Sequence, residues 1–170
     1  MITFGLRLVL IVTTSVLLVQ CSGSRVWTYD YENGKTSLLL GNQAVPPANL
    51  PEAVMRAISA GNQIKDKPYC WGGGHRHFDD KGYDCSGAVS YVLHHAGVLD
   101  TPGTSRDLRK FGKGGEGDWI TVYAKKGHAF VVVAGLRFDT SGSDGSDRGP
   151  RWTKDSRSLR GFRARHPEGL

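Results

Sequence analysis

The sequence predicts an α+β domain in which a helix with a cysteine at its start packs on a small antiparallel β-sheet. Three observations lead there. Tyr83-Asp84-Cys85-Ser86-Gly87 turns a glycine-rich loop into an apolar helical stretch. The run from Asp118 to Asp139 is a series of β-branched and aromatic stretches separated by tight turns, and Gly127-His128 opens its middle stretch. A chain of 170 residues, 39% of them hydrophobic, has room for one compact core and little more.

The first residues read as an export leader. Met1 to Arg7 carries one positive charge, and Leu8 to Val19 is apolar apart from Thr13, Thr14 and Ser15. A spanning helix needs about 20 apolar residues, so secretion is favoured over anchoring. Leu18-Val19-Gln20-Cys21 resembles the lipid-attachment box of bacterial lipoproteins, with Cys21 as the acylated residue; cleavage near Ser22 to Ser24 and an uncleaved anchor are the alternatives. If Cys21 is lipidated or removed, only Cys70 and Cys85 remain, too few for a disulfide framework. Cys70 is expected to be buried and reduced, and a Cys70–Cys85 bridge stays open.

The formal charge of +6 is concentrated near the C-terminus, where Arg148, Arg151, Lys154, Arg157, Arg160, Arg163 and Arg165 face only Asp155 and Glu168. For an exported chain the expected partner of such a run is an anionic wall polymer or lipid rather than nucleic acid, and a plain solvated surface is the alternative. The expected organisation is a leader over residues 1–21, a linker over 22–49, a catalytic domain over 50–145 and a basic extension over 146–170. No repeat is evident, and the sequence leaves the oligomeric state open.

Residues 22–49 mix Ser, Gly, Asn and Pro46-Pro47 with one apolar patch, Leu38-Leu39-Leu40, which predicts a tether with at most one strand. Pro51 to Ala60 carries Val54, Ala57 and Ile58 at helical spacing, with Pro51 in the first turn and Gly61 as the cap. Tyr69-Cys70-Trp71-Gly72-Gly73-Gly74-His75 is a loop whose glycines permit close backbone approaches. From Asp84, a suitable N-cap, the residues Ala88, Val89, Val92, Leu93 and Ala96 form an apolar helix face that ends at Gly97. Asp118 to Ala124 has strand character, Lys125-Lys126-Gly127 is a tight connection, and a second strand runs from His128 to Val133. Ala134-Gly135 turns it back into Leu136 to Asp139. His75-Arg76-His77 with Asp79 and Asp80 has metal-ligand residue types but reads as a loop, and His94-His95 suits the end of a helix, so no metal or organic cofactor is expected.

Cys85 falls in the first turn of its helix, where unpaired N–H groups and the dipole favour an anion and so lower a thiol pKa from its free value of about 8.5. With Ala134-Gly135 as a two-residue loop, Val133 pairs with Leu136 and, counting outward, Phe130 with Asp139. His128 and Asp139 then share a face as diagonal neighbours, roughly 7–8 Å apart at the backbone, a gap their side chains bridge if the twist helps. Ala129, Val131, Val133, Leu136 and Phe138 make the opposite face apolar. One extra loop residue would turn Asp139 away and leave Asp144 and Asp147 as weaker substitutes. These are the parts of a thiol triad: Cys85 as nucleophile, His128 as ion-pair partner and general acid, Asp139 as orienter of the ring.

The succession Pro68-Tyr69-Cys70-Trp71-Gly72-Gly73, Asp84-Cys85-Ser86-Gly87, Gly117-Asp118-Trp119 and Gly127-His128 resembles the NlpC-type cell-wall peptidases, a papain-like family of bacterial cysteine hydrolases, over roughly Pro51 to Thr140. The resemblance implies a peptidase cutting peptidoglycan stem peptides, commonly at the bond from D-glutamate to a diamino acid. It implies Cys85 as nucleophile, His128 as its partner, and Tyr69 as an active-site residue whose hydroxyl helps hold the oxyanion beside the Cys85 N–H. It also implies that Asp84 and Ser86 help shape the substrate pocket. The family's third polar residue is often His, where this chain has Asp139. Two other readings remain: a cysteine amidase acting on another amide, and a wall-binding module with a dead site, held by its basic run.

Overall fold

The computed structural model describes residues 25–142 and 147–170. In chain order its elements are β1 (Val26–Trp27), β2 (Leu38–Leu40), β3 (Gln43–Val45), α1 (Glu52–Ile64), α2 (Cys85–His95), α3 (Ser105–Leu108), β4 (Lys113–Gly114), β5 (Ile120–Lys125), β6 (His128–Val133), β7 (Leu136–Ser141), β8 (Asp147–Thr153), β9 (Arg157–Ser158) and β10 (Arg163–His166). Among these described residues, no helix is long and apolar enough to cross a membrane. Cys21 and Asp144 lie outside the described residues.

Six antiparallel strands form one sheet in the order β4-β10-β5-β6-β7-β8. Its centre is the predicted hairpin in the predicted register, with Val133 opposite Leu136 and Val131 opposite Phe138. A two-residue loop of this kind needs left-handed backbone at both positions, and Ala134 (φ 44°) and Gly135 (φ 70°) supply it. Strand alternation then sorts the side chains. Ala129, Val131, Val133, Leu136 and Phe138 enter the main core with α1 and α2, whereas Phe130 and Val132 join Trp27, Tyr123, Leu159 and Phe162 in a second core on the opposite face. The fold is therefore α+β, with helices on one face of an antiparallel sheet.

Four expectations need correction. Helix α1 runs on to Ile64, and Gly61 lies inside it: a Cβ there would sit 2.4 Å from Cζ2 of Trp152, so glycine serves close packing and not termination. The expected linker is folded from residue 25 onward. Its strand β1 pairs with β9, Trp27 is buried, and Asn62 of α1 clamps Ala44 of β3 through bonds of 3.0 and 2.9 Å. The expected basic extension is part of the sheet, because β8 extends it beyond β7 and β10 fills the place between β4 and β5. Arg165 spends its charge on local carbonyls, donating to Phe111 O at 2.6 Å. Cys70 is free, as is Cys85, but exposed, because its loop runs over the surface.

Candidate active site

Helix α2 begins where the sequence places its cap. Asp84 is the N-cap, and its Oδ1 accepts from Gly87 N at 2.8 Å and from Ser86 Oγ at 3.1 Å. Its Oδ2 accepts from Gly72 N at 3.1 Å, and His75 Nε2 lies 3.0 Å from both oxygens. One carboxylate thus ties the glycine loop to the helix start. Gly73 and Gly87 allow this approach, since a Cβ on Gly87 would lie 1.9 Å from Gly73 O. The imidazole of His75 is engaged by Asp84 and by Ser86 Oγ at 3.2 Å. Among the described residues no group of three or more His, Cys, Asp or Glu stands ready to hold a metal.

Cys85 occupies the first helical position and is buried apart from 9% of its surface. Tyr69 reaches the same neighbourhood through a parallel bridge to Tyr83, flanked by Cys70 N to Tyr83 O at 3.2 Å and Tyr83 N to Pro68 O at 3.0 Å. It is half-buried.

His128 is the first residue of β6, presented by the turn at Lys126-Gly127, where Gly127 has φ 82°. Its Nε2 lies 2.9 Å from Asp139 Oδ1, and Asp139 Oδ1 also accepts from Ser141 N at 3.0 Å. Cys85 lies close enough for its side chain to raise the His128 pKa; with Nε2 given to Asp139, Nδ1 is the ring nitrogen left to meet it. His128 and Asp139 are therefore joined as the register argument expects, with Cys85 acting on the same ring.

The electrostatics of these three residues are coupled. Burial pulls the His128 pKa down, but the hydrogen bonds and charges of Asp139 and Cys85 outweigh it and raise it from 6.5 to about 9. Burial likewise opposes ionisation of Asp139, yet His128, the Ser141 N–H and Arg137 together hold its pKa below the usual carboxylate value.

Two neighbours escaped the sequence reading. Arg137 shares the His128–Asp139 face by strand alternation, a signal the register count already contained, and its side chain is completely buried. Phe162 sets its ring edge-on to His128, with centroids 6.1 Å apart, from a segment with no sequence link to the site.

No family model and no curated protein matches the chain. Solved structures do. Rv1477, a hypothetical invasion protein of Mycobacterium tuberculosis, aligns at 19% identity over 69% of this chain and 65% of its own, with a TM-score of 0.50. A mutated form of RipA, the Resuscitation Promoting Factor Interacting protein, aligns at 20% identity over 74% of this chain and 67% of its own, with a TM-score of 0.50. An NlpC/P60 family protein from Bacillus cereus ATCC 10987 aligns at 15% identity over 68% of this chain and 40% of its own, with a TM-score of 0.48. This chain thus spans about two thirds of the length of the first two. At these identities the likeness to Rv1477 and RipA is one of fold: the chain has the NlpC-type, papain-like fold.

Proposed function

We propose that this protein is an exported cysteine peptidase that hydrolyses peptidoglycan stem peptides at the bond from D-glutamate to a diamino acid. The observation that carries the reading is the His128–Asp139 hydrogen bond of 2.9 Å beside Cys85, which opens a helix and acts on the same imidazole. The substrate class rests on the motif succession shared with the NlpC-type peptidases, and export on the leader-like run before Cys21. Lys154, Arg160 and Arg163 are exposed and would hold the enzyme near anionic wall polymer or lipid.

The geometry supports a two-step reaction. The Cys85 sulfur attacks the carbonyl carbon, and the Cys85 backbone N–H, with the Tyr69 hydroxyl, holds the oxygen that becomes negative. His128, with its pKa near 9, is an imidazolium at neutral pH and hands its proton to the leaving amine. Forming the thioester removes the Cys85 charge and hydrogen bond that raise the His128 pKa. The ring, neutral after that transfer, then stays neutral and acts as the base that draws a proton from the water attacking the thioester, and Cys85 leaves as the thiolate. Asp139 keeps the ring oriented through both steps.

Purified peptidoglycan and soluble stem peptides, digested under reducing conditions and analysed by mass spectrometry, test the reading. New amine termini at the diamino acid, absent with Cys85→Ala, are expected. Release of peptide from sugar would instead favour an amidase. Binding to the wall without cleavage, unchanged in Cys85→Ala, would favour the binding module.

A further inference from the structure

A cavity of about 650 Å³ opens beside the histidine and has no part in the chemistry above. Thr104, Arg106, Asp107, Arg109, Lys126 and Gly127 contribute to its lining. One wall is the Lys126-Gly127 turn, covalently continuous with His128. The other is α3, fastened to the nucleophile helix by Ser90, whose Oγ donates to Gly103 O at 3.2 Å and accepts from Gly103 N at 3.0 Å.

The charge of the cavity is one-sided. Arg106, Arg109 and Lys126 bring three cations. The carboxylate among them, Asp107, is spent on a capping box: its Oδ2 accepts from Thr104 N at 3.0 Å and from Thr104 Oγ1 at 2.6 Å. Arg109 Nε is buried and has no hydrogen-bond partner among the described residues. A buried donor left in that state is unfavourable, and an arriving acceptor removes the cost.

The side of the substrate that meets this cavity follows from the proton transfer. A general acid must stand on the amine side of the scissile bond, because it protonates the leaving nitrogen. A cavity lined by Gly127, the residue before His128, therefore lies on the side of the amine-side residue. We propose that it is a subsite for a free carboxylate on that residue, with Arg109 and Arg106 as planar donors and Lys126 as a point charge. The proposal rests on the peptidase reading. It makes the enzyme discriminate a free carboxylate from its amide at a position one residue beyond the cut.

The test uses the full chain and two stem peptides that differ only in that carboxylate, free in one and amidated in the other. Wild type is expected to favour the free acid by roughly tenfold in kcat/KM, through KM, with the preference shrinking at high salt. Arg106→Gln, Arg109→Gln and Lys126→Gln are each expected to lower that preference while leaving turnover of the amide unchanged. Equal KM values for acid and amide in wild type, or a preference that none of the three variants moves, would overturn the subsite. If neither peptide is cut, the peptidase reading fails separately, and calorimetric titration of both peptides into Cys85→Ala decides the subsite. Tighter binding of the acid, lost in Arg109→Gln, supports it; equal binding or none overturns it.

Discussion

Arg137 Nε stands 3.7 Å from Asp139 Oδ2, with both side chains fully buried, and neither atom has a hydrogen-bond partner among the described residues. The guanidinium lies over the rings of Trp27 and Phe130, 5.5 and 5.7 Å from their centroids. Such a cation is held by ring faces and one carboxylate rather than by water. Its charge helps keep Asp139 ionised against the cost of burial. Arg137→Met, apolar and of similar length, is therefore expected to raise the Asp139 pKa and move the acid limb of the kcat/KM profile to higher pH. An acid limb that stays in place would show that His128 and the Ser141 N–H hold the charge of Asp139 without Arg137. Arg137→Ala, which also opens a cavity, is expected to cost about 3–5 kcal/mol in denaturant unfolding.

Asp139→Asn keeps a hydrogen-bonding group beside His128 and removes the charge. Asp139 is one of the two groups that raise the His128 pKa to about 9. The variant is expected to titrate His128 at least about one unit lower, as followed by NMR, with a matching downward shift of the alkaline limb of activity. An unmoved titration would mean that Cys85 alone carries the shift.

The same pKa links pH to stability. His128 has a folded pKa of about 9 against 6.5 when unperturbed, so its contribution is fully present below pH 6.5 and is lost as pH rises through 9. Denaturant melts are expected to lose up to about 3 kcal/mol over that window. His128→Gln should show a flatter dependence there, and an equal decline in both proteins would assign the effect to other groups.

Gly61→Ala tests whether the C-terminal strands belong to the domain. The added Cβ would meet the Trp152 ring, which also donates from Nε1 to Asn62 Oδ1 at 3.0 Å. A loss of about 1–3 kcal/mol in thermal or denaturant unfolding is expected. Residue 61 is in a helix, where alanine otherwise stabilises, so a gain in stability would mean that Trp152 does not pack there.

Much of the site was legible because it rests on local rules. The Asp84 cap, the first-turn Cys85 and the hairpin that puts His128 and Asp139 on one face follow from capping preference, helical spacing and strand alternation. What was not legible depends on long-range packing. Gly61 reads as a stop until Trp152, far along the chain, is seen against it. The segment carrying Trp27 is too short and too mixed to show a strand period, yet it is held by pairing with β9. The arginines of the last residues suggest a solvated tail because a two-to-four-residue strand such as β10 has almost no alternation to read. The same register that sets Asp139 on its face also sets Arg137 there, but a fully buried guanidinium contradicts the usual expectation for that residue type.

The most direct test of the central claim is the rate at which a defined stem peptide is cut by wild type and by Cys85→Ala, with thermal unfolding of both proteins measured in parallel. The expected result is a fall of at least about 10³-fold in kcat with folding retained, since the nucleophile has no substitute beside His128 and Asp139. A Cys85→Ala protein that cuts the same bond at a rate within tenfold of wild type would contradict the account.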